Sequence, residues 1–188
     1  MTRSEPPPNR VPDIRIRKAV PQDAGILADL GARTFTDAYQ AETDAQALAA
    51  YVAQQFTPAR QAAELADPSM TVLIAEVGDT PSAYAVVVDG PPEVPVGGMR
   101  AIGLVRLYVD VLAQGMGLGR RLFDACVGEA RQRACDTMWL TVWERNTRAI
   151  AIYRHWEFRE VGEVRFPFGS ETHRDLVMAR SLAADLAG

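Results

Sequence analysis

The sequence predicts an α/β or α+β fold, a central mixed sheet with helices on both faces. Three observations carry this. Helical stripes of apolar residues fill the stretch before Asp67, β-branched runs take over at Met70, and a strand, glycine turn, helix and strand follow in sequence in the second half. That last order implies a right-handed parallel crossover within the sheet. With 188 residues the chain is long enough for one domain with a sizeable core, expected over 13–188 after a proline-rich, disordered arm at 1–12.

The elements follow in order. From Asp13, DIRIRKA alternates polar and apolar residues and then meets Pro21, reading as a short strand and a helix start. Leu27, Leu30, Gly31, Thr34, Phe35 and Ala38 form one stripe of an amphipathic helix. A second helix is expected to open at Thr43, with Gln46 completing a capping box, and a third at Thr57-Pro58, running to about Asp67. TVLIAEV and SAYAVVV, separated by Gly78-Asp79-Thr80-Pro81, predict an antiparallel hairpin. The proline- and glycine-rich stretch 89–98 reads as a mobile loop. AIGLVRLYV is nearly continuous in apolar residues, the mark of a central strand buried on both faces. A helix from about Gly117 to Ala134, the strand MWLTVW, a helix from Thr147 to Trp156 and two amphipathic strands complete the chain.

Composition narrows the function. The chain is 48% hydrophobic and 23% charged, with no apolar run near the ~20 residues a bilayer requires, so no membrane partner is expected. A net charge of −4 disfavours nucleic acid and mildly favours cationic substrates. Cys126 and Cys135 lie about 13 Å apart along a straight helix, too far to bridge. Unpaired cysteines and the lack of an apolar leader core in MTRSEPPPNRVPD predict a cytoplasmic protein. His155 and His173 have no ligand spacing around them, and no metal is expected.

Between the buried strand and the helix, Gln114-Gly115-Met116-Gly117-Leu118-Gly119-Arg120 places three glycines at alternate positions. Glycine permits unusual backbone angles and close approach, and the helix start offers unpaired N–H groups, so this turn suits a pyrophosphate. Arg120 and Arg121 would add charge for a phosphate further out. A dinucleotide fingerprint needs a third glycine where Arg120 stands, which weakens a nicotinamide-binding reading, and a P-loop lacks its Gly-Lys-Ser/Thr.

The same residues match the Q/R-x-x-G-x-G/A signature of the GNAT superfamily of N-acetyltransferases. NTRAIAIYRHWEF, from Asn146 to Phe158, resembles that family's N-x-x-A-x-x-x-Y-x-x-x-G-F pattern. The resemblance implies a mixed, mostly antiparallel sheet splayed open between the strand ending at Val109 and the strand around Leu140, with acetyl-CoA in the gap as co-substrate. Pantetheine would pair with the backbone of Leu107, Tyr108 and Val109, pyrophosphate would sit on the backbone of Gln114 to Arg120, and Asn146 would join the cofactor site. A primary amine, of a small molecule or a peptide N-terminus, would attack the thioester directly. A backbone N–H near Val109 would steady the oxyanion, and Tyr153 would protonate the departing thiolate. A non-catalytic acyl-CoA sensor is the alternative.

By themselves these residues read more plainly. Asn146 precedes a helix and suits an N-cap, and Tyr153 shares an apolar stripe with Ala149, Ile152 and Trp156. Glu157 replaces the pattern's glycine, and Val111 stands where a proline is common. Thr141 occupies the position of the ribosomal-protein branch's glutamate base, which leaves the base among Glu144, Asp110, water or the free amine. Phe35-Thr36-Asp37-Ala38-Tyr39, Tyr51 and GSETHRDLVMAR resemble the bacterial spermidine/spermine branch, which adds polyamines to the expected acceptors. Family homodimers suggest that an exposed terminal strand, Leu176 to Arg180, pairs across a dimer.

Overall fold

Short alternating β-branched runs and capped helical stripes both become regular structure. A computed structural model of the chain describes residues 13–90, 94–169 and 171–182. The expected 1–12 arm, and 91–93 of the expected mobile loop, fall outside the described residues; residues 94–100 carry no helix or strand. In chain order the elements are β1 (Ile14–Lys18), α1 (Ala24–Tyr39), α2 (Ala45–Gln55), α3 (Pro58–Ala66), β2 (Met70–Val77), β3 (Thr80–Asp89), β4 (Ala101–Val109), α4 (Leu118–Gln132), β5 (Thr137–Trp143), α5 (Thr147–His155), β6 (Arg159–Phe168) and β7 (Glu171–Ser181). A 3-10 turn at Pro21–Asp23 leads into α1, and another at Val111–Ala113 follows β4.

The helix starts show which side chains act as caps. Thr57 accepts a hydrogen bond from the Arg60 N–H at 3.2 Å, with Pro58 in the first turn, as its sequence predicts. The start of α2 differs from the expected Thr43 capping box. Asp44 is the cap, its carboxylate accepting from the Ala47 N–H at 2.9 Å. The acid is one residue nearer the helix and is the stronger acceptor, while the Thr43 hydroxyl is buried without a hydrogen-bond partner among the described residues.

The sheet runs β1-β2-β3-β4-β5-β7-β6, and only the β4–β5 pair is parallel. Its two faces are covered separately. Val72, Ile74, Tyr84 and Val86 pack on Leu27 and Leu30 of α1, whereas the intervening Leu73, Ala75, Ala83 and Ala85 share a core with Leu122 and Cys126 of α4. This alternation is the two-residue period of a strand buried on both sides. β7 corrects the expected exposed terminal strand. After α5 the chain first lays down the outer strand β6 and then turns back inside it, so Ala179 faces Trp139 on one side and Arg159 on the other. Leu176 to Arg180 therefore have no free edge with which to pair across a dimer.

β4 is central, yet only its first half is buried on both faces as predicted. It pairs with β5 at just three positions, Ala101 to Gly103, and then the strands part. On its other edge a register shift skips Val105, between the Val87–Leu104 and Val86–Arg106 pairs. Such a bulge twists the strand and reverses which residues face each side. Ile102 and Leu104 precede it in the α4 core, Leu107 and Val109 follow it there, and Val105 is 41% exposed. A periodicity reading of AIGLVRLYV cannot register one extra residue. The second half of β4 is anchored from α3, where Glu64 accepts two hydrogen bonds from Arg106, one of them at 2.8 Å.

Candidate active site

Where β4 and β5 part, a cleft of about 1120 Å³ opens, walled by α1, the β4 end, the first turn of α4, α5 and the ends of β5, β6 and β7. Eleven of the twelve residues expected from the sequence line it: Leu107, Tyr108, Val109, Gln114, Gly115, Gly117, Leu118, Gly119, Arg120, Asn146 and Tyr153. Met116 is the exception, its side chain packing against the core. The Tyr108 ring likewise turns away from α4, toward Tyr84 at 5.6 Å and Phe35 at 6.3 Å, so what that part of β4 offers the gap is backbone.

The glycine turn has a physical reason for its composition. Gly115 and Gly117 hold φ values of 84° and 79°, in the left-handed region that costs other residues about 1–2 kcal/mol. Gly117 is also the cap residue of α4, and having no side chain it cannot satisfy the first-turn N–H groups. The N–H groups of Leu118, Gly119 and Arg120 are thus left for a ligand, at the positive end of a fifteen-residue helix. A Cβ at Gly115 or Gly117 would meet no atom within 4 Å, so the backbone here borders open space. Gln114 ties the turn to both walls, donating to the Val109 carbonyl at 3.5 Å and accepting from Arg148 at 2.7 Å. Arg120 is drawn along its own helix to Asp124 at 2.9 Å.

On the facing wall, the Asn146 side chain accepts from the Ala149 N–H at 3.1 Å and caps α5, the plain role its position suggested. That cap sets the start of the helix carrying Tyr153. Trp156 and Phe158 hold the Tyr153 ring edge-on at 6.0 and 5.9 Å. Burial, and secondarily the nearby Cys126, push its phenol up to about 12. It is therefore protonated throughout the neutral range, as an acid must be.

The remaining wall was marked in the sequence only by the branch resemblance of Phe35 to Tyr39, Tyr51 and the segment holding His173 and Asp175, with no residue of it assigned to the site. Trp143 at the end of β5, His173 on β7 and Phe168 on β6 form a stack, with centroid separations of 4.9 and 5.2 Å and near-parallel planes. Phe35 and Tyr39 of α1 and Tyr51 of α2 continue these aromatic walls. Asp175 lies opposite Trp143 in the β5–β7 register and lines the cleft. Burial raises its carboxyl above the usual range, against the pull of His173 and with a smaller push from Glu144. Tyr39 is raised chiefly by burial, then by Asp175 and Tyr153. Strand alternation is the one signal that separates His173 and Asp175, which face the cleft, from Arg174, which bonds Glu163 at 2.6 Å and Glu144 at 3.2 Å.

Two carboxylates weighed as bases from the sequence lie outside the cleft lining. Asp110 is held by Arg33 at 2.7 Å and accepts from the Leu112 N–H, which lower it below the usual carboxylate range. Glu144 is paired with Arg174. Both cysteines are free and buried, and burial pushes the Cys126 thiol up to about 12. Among the described residues no group of three metal-ligating side chains gathers, and no helix is long and apolar enough to cross a membrane.

A mixed sheet that parts beside a glycine turn, with an uncapped helix start on one wall and a phenol on the other, has the architecture of an acetyltransferase. The sequence profile of the Acetyltransferase (GNAT) family matches residues 32–158, and the chain belongs to that family. It is 29% identical over 160 residues to an uncharacterized N-acetyltransferase of Mycobacterium tuberculosis strain H37Rv, spanning 85% of this chain and 98% of that one. It is 32% identical over 66 residues to the spermine/spermidine N(1)-acetyltransferase of Bacillus subtilis, covering 35% of this chain and 43% of the relative. Its fold is similar to that of the PaiA N-acetyltransferase of Thermoplasma acidophilum, solved in complex with coenzyme A, at TM-score 0.73 and 15% identity over 90% of this chain and 99% of the other.

Proposed function

We propose that the chain transfers an acetyl group from acetyl-CoA to a primary amine by direct attack, with Tyr153 as general acid. The observation that carries this reading is the opening of β4 from β5 beside the bare N-terminus of α4. Past Gly103, β4 has no strand partner on its β5 side, and an extended amide chain such as pantetheine finds donors and acceptors there. Leu118, Gly119 and Arg120 offer N–H groups to a pyrophosphate, and the glycines before them leave it room. The coenzyme A complex of the structurally similar PaiA protein supports the same reading.

Acetyl-CoA supplies an acyl carbonyl activated by a thiol leaving group. This chain's part is to hold that carbonyl at the end of β4, where a backbone N–H near Val109 meets the developing oxyanion. Tyr153 holds its proton at neutral pH and delivers it to the departing sulfur. Cys126 is buried and protonated, which speaks against a covalent acyl-enzyme at that thiol.

The test follows thiol release from acetyl-CoA with and without a panel of primary amines, together with mass spectrometry of the amine. Amine-dependent release and an acetylated amine are expected. Coenzyme binding without release across the panel would replace this reading with that of a non-catalytic acyl-CoA sensor.

A further inference from the structure

The acceptor wall carries more chemistry than the family likeness accounts for. Its floor is the Trp143–His173–Phe168 stack and its sides are Phe35, Tyr39 and Tyr51, so the lining of this part of the cleft is mainly aromatic. Aromatic faces attract cations and flat apolar groups. Among the described residues no side chain is hydrogen-bonded to the Asp175 carboxylate, which is set in this wall and feels His173 only through its charge. A half-buried carboxylate without a hydrogen-bonded partner is costly unless a cation arrives to meet it.

We infer that this subsite takes a primary ammonium group borne on a flat apolar body, and that Asp175 receives the ammonium and removes its proton. The inference rests on the transferase reading above. Its proton accounting closes. Asp175 takes one proton from R–NH3⁺, leaving the lone pair that forms the C–N bond. The C–S bond breaks as Tyr153 protonates the sulfur, the tyrosinate recovers a proton from the acylated nitrogen, and Asp175 returns its own to solvent. The products are an amide, free thiol and one proton.

The groups facing Asp175 are compatible with this role. His173 on its own strand and Glu144 beyond β5 act on it with opposite signs, and the Tyr39 hydroxyl faces it from α1. β6 contributes Val164 at the paired position, with no charge. Arg145, exposed at the rim of the cleft, holds its guanidinium 5.8 Å from the Trp143 ring centre. Burial keeps the carboxyl above its ordinary range, which makes its carboxylate a stronger proton acceptor.

The experiment compares phenethylamine, its less basic β,β-difluoro analogue and spermidine as acceptors for the wild type, Asp175→Asn and Asp175→Glu. For phenethylamine, Asp175→Asn is expected to lose about 10²-fold or more in kcat/KM, while its acetyl-CoA affinity, measured by calorimetry, is unchanged. Asp175→Glu should recover part of the loss. With the difluoro amine, which needs less help to shed a proton, the loss should be smaller by about tenfold. A purely structural role would lower both amines equally, and that result would overturn the inference, as would undiminished activity in Asp175→Asn. A wild-type preference for spermidine over phenethylamine would overturn the substrate class. Absence of thiol release with any amine, despite coenzyme binding, would instead remove the transferase reading and this inference with it.

Discussion

The cleft wall between Leu107 and Arg120 is contiguous backbone, whereas the wall facing it is assembled from side chains of α1, α2, β5, β6 and β7. The first needs a strand edge left open, two residues with positive φ and a helix without a capping side chain. The second needs β5, β6 and β7 to meet before Trp143, His173 and Phe168 can stack, and α1 and α2 to bring Phe35, Tyr39 and Tyr51 beside them. On the proposed reading, the coenzyme is held by local backbone geometry and the acceptor by side chains that converge from separate elements.

Tyr153, on α5 between the two walls, gives the largest expected effect. Tyr153→Phe keeps the ring packed on Trp156 and Phe158 and removes only the hydroxyl. Turnover should fall by about 10²–10³-fold with the acetyl-CoA dissociation constant unchanged; equal activity in the variant would take Tyr153 out of the mechanism. Glu64→Gln strikes at the support of the backbone wall instead. Glu64 and Arg106 are 12% and 17% exposed, and breaking their pair should cost about 2–3 kcal/mol in urea unfolding, just under the range for fully buried pairs.

Gly117→Ala separates conformation from crowding. Nothing stands within 4 Å of the added methyl, so the penalty comes from a φ of 79° alone. Acetyl-CoA affinity should weaken by roughly tenfold in calorimetry while the KM for the amine hardly moves. Asp44→Ala is the converse and the smallest change. Losing the cap of α2 should cost about 1 kcal/mol of stability and raise the amine KM, leaving coenzyme affinity alone. If both variants altered both ligands alike, the two walls would not be the separate units described here.

The contrast also explains what the sequence made legible. Gln114 to Arg120 could be read because a glycine turn after a strand is a local signal, and every residue of it except Met116 lines the cleft. Tyr153 stood out through its spacing from Asn146. Asp175 and His173 were marked only as part of the segment GSETHRDLVMAR, and Trp143 not at all, because what gathers them is the β5–β7 register and the aromatic contacts across it, and neither has a signature along the chain. The bulge at Val105 was hidden for a related reason: one extra residue leaves an apolar run looking continuous. The position of β7 inside β6 is a matter of topology, which two amphipathic strands in succession do not reveal.

Calorimetric titration with acetyl-CoA, using NADH as the control ligand, tests the central claim most directly. The opened β4 edge and the bare start of α4 predict micromolar binding of acetyl-CoA and none of NADH. Binding of NADH alone, or of neither, would contradict the assignment of that backbone wall to the coenzyme.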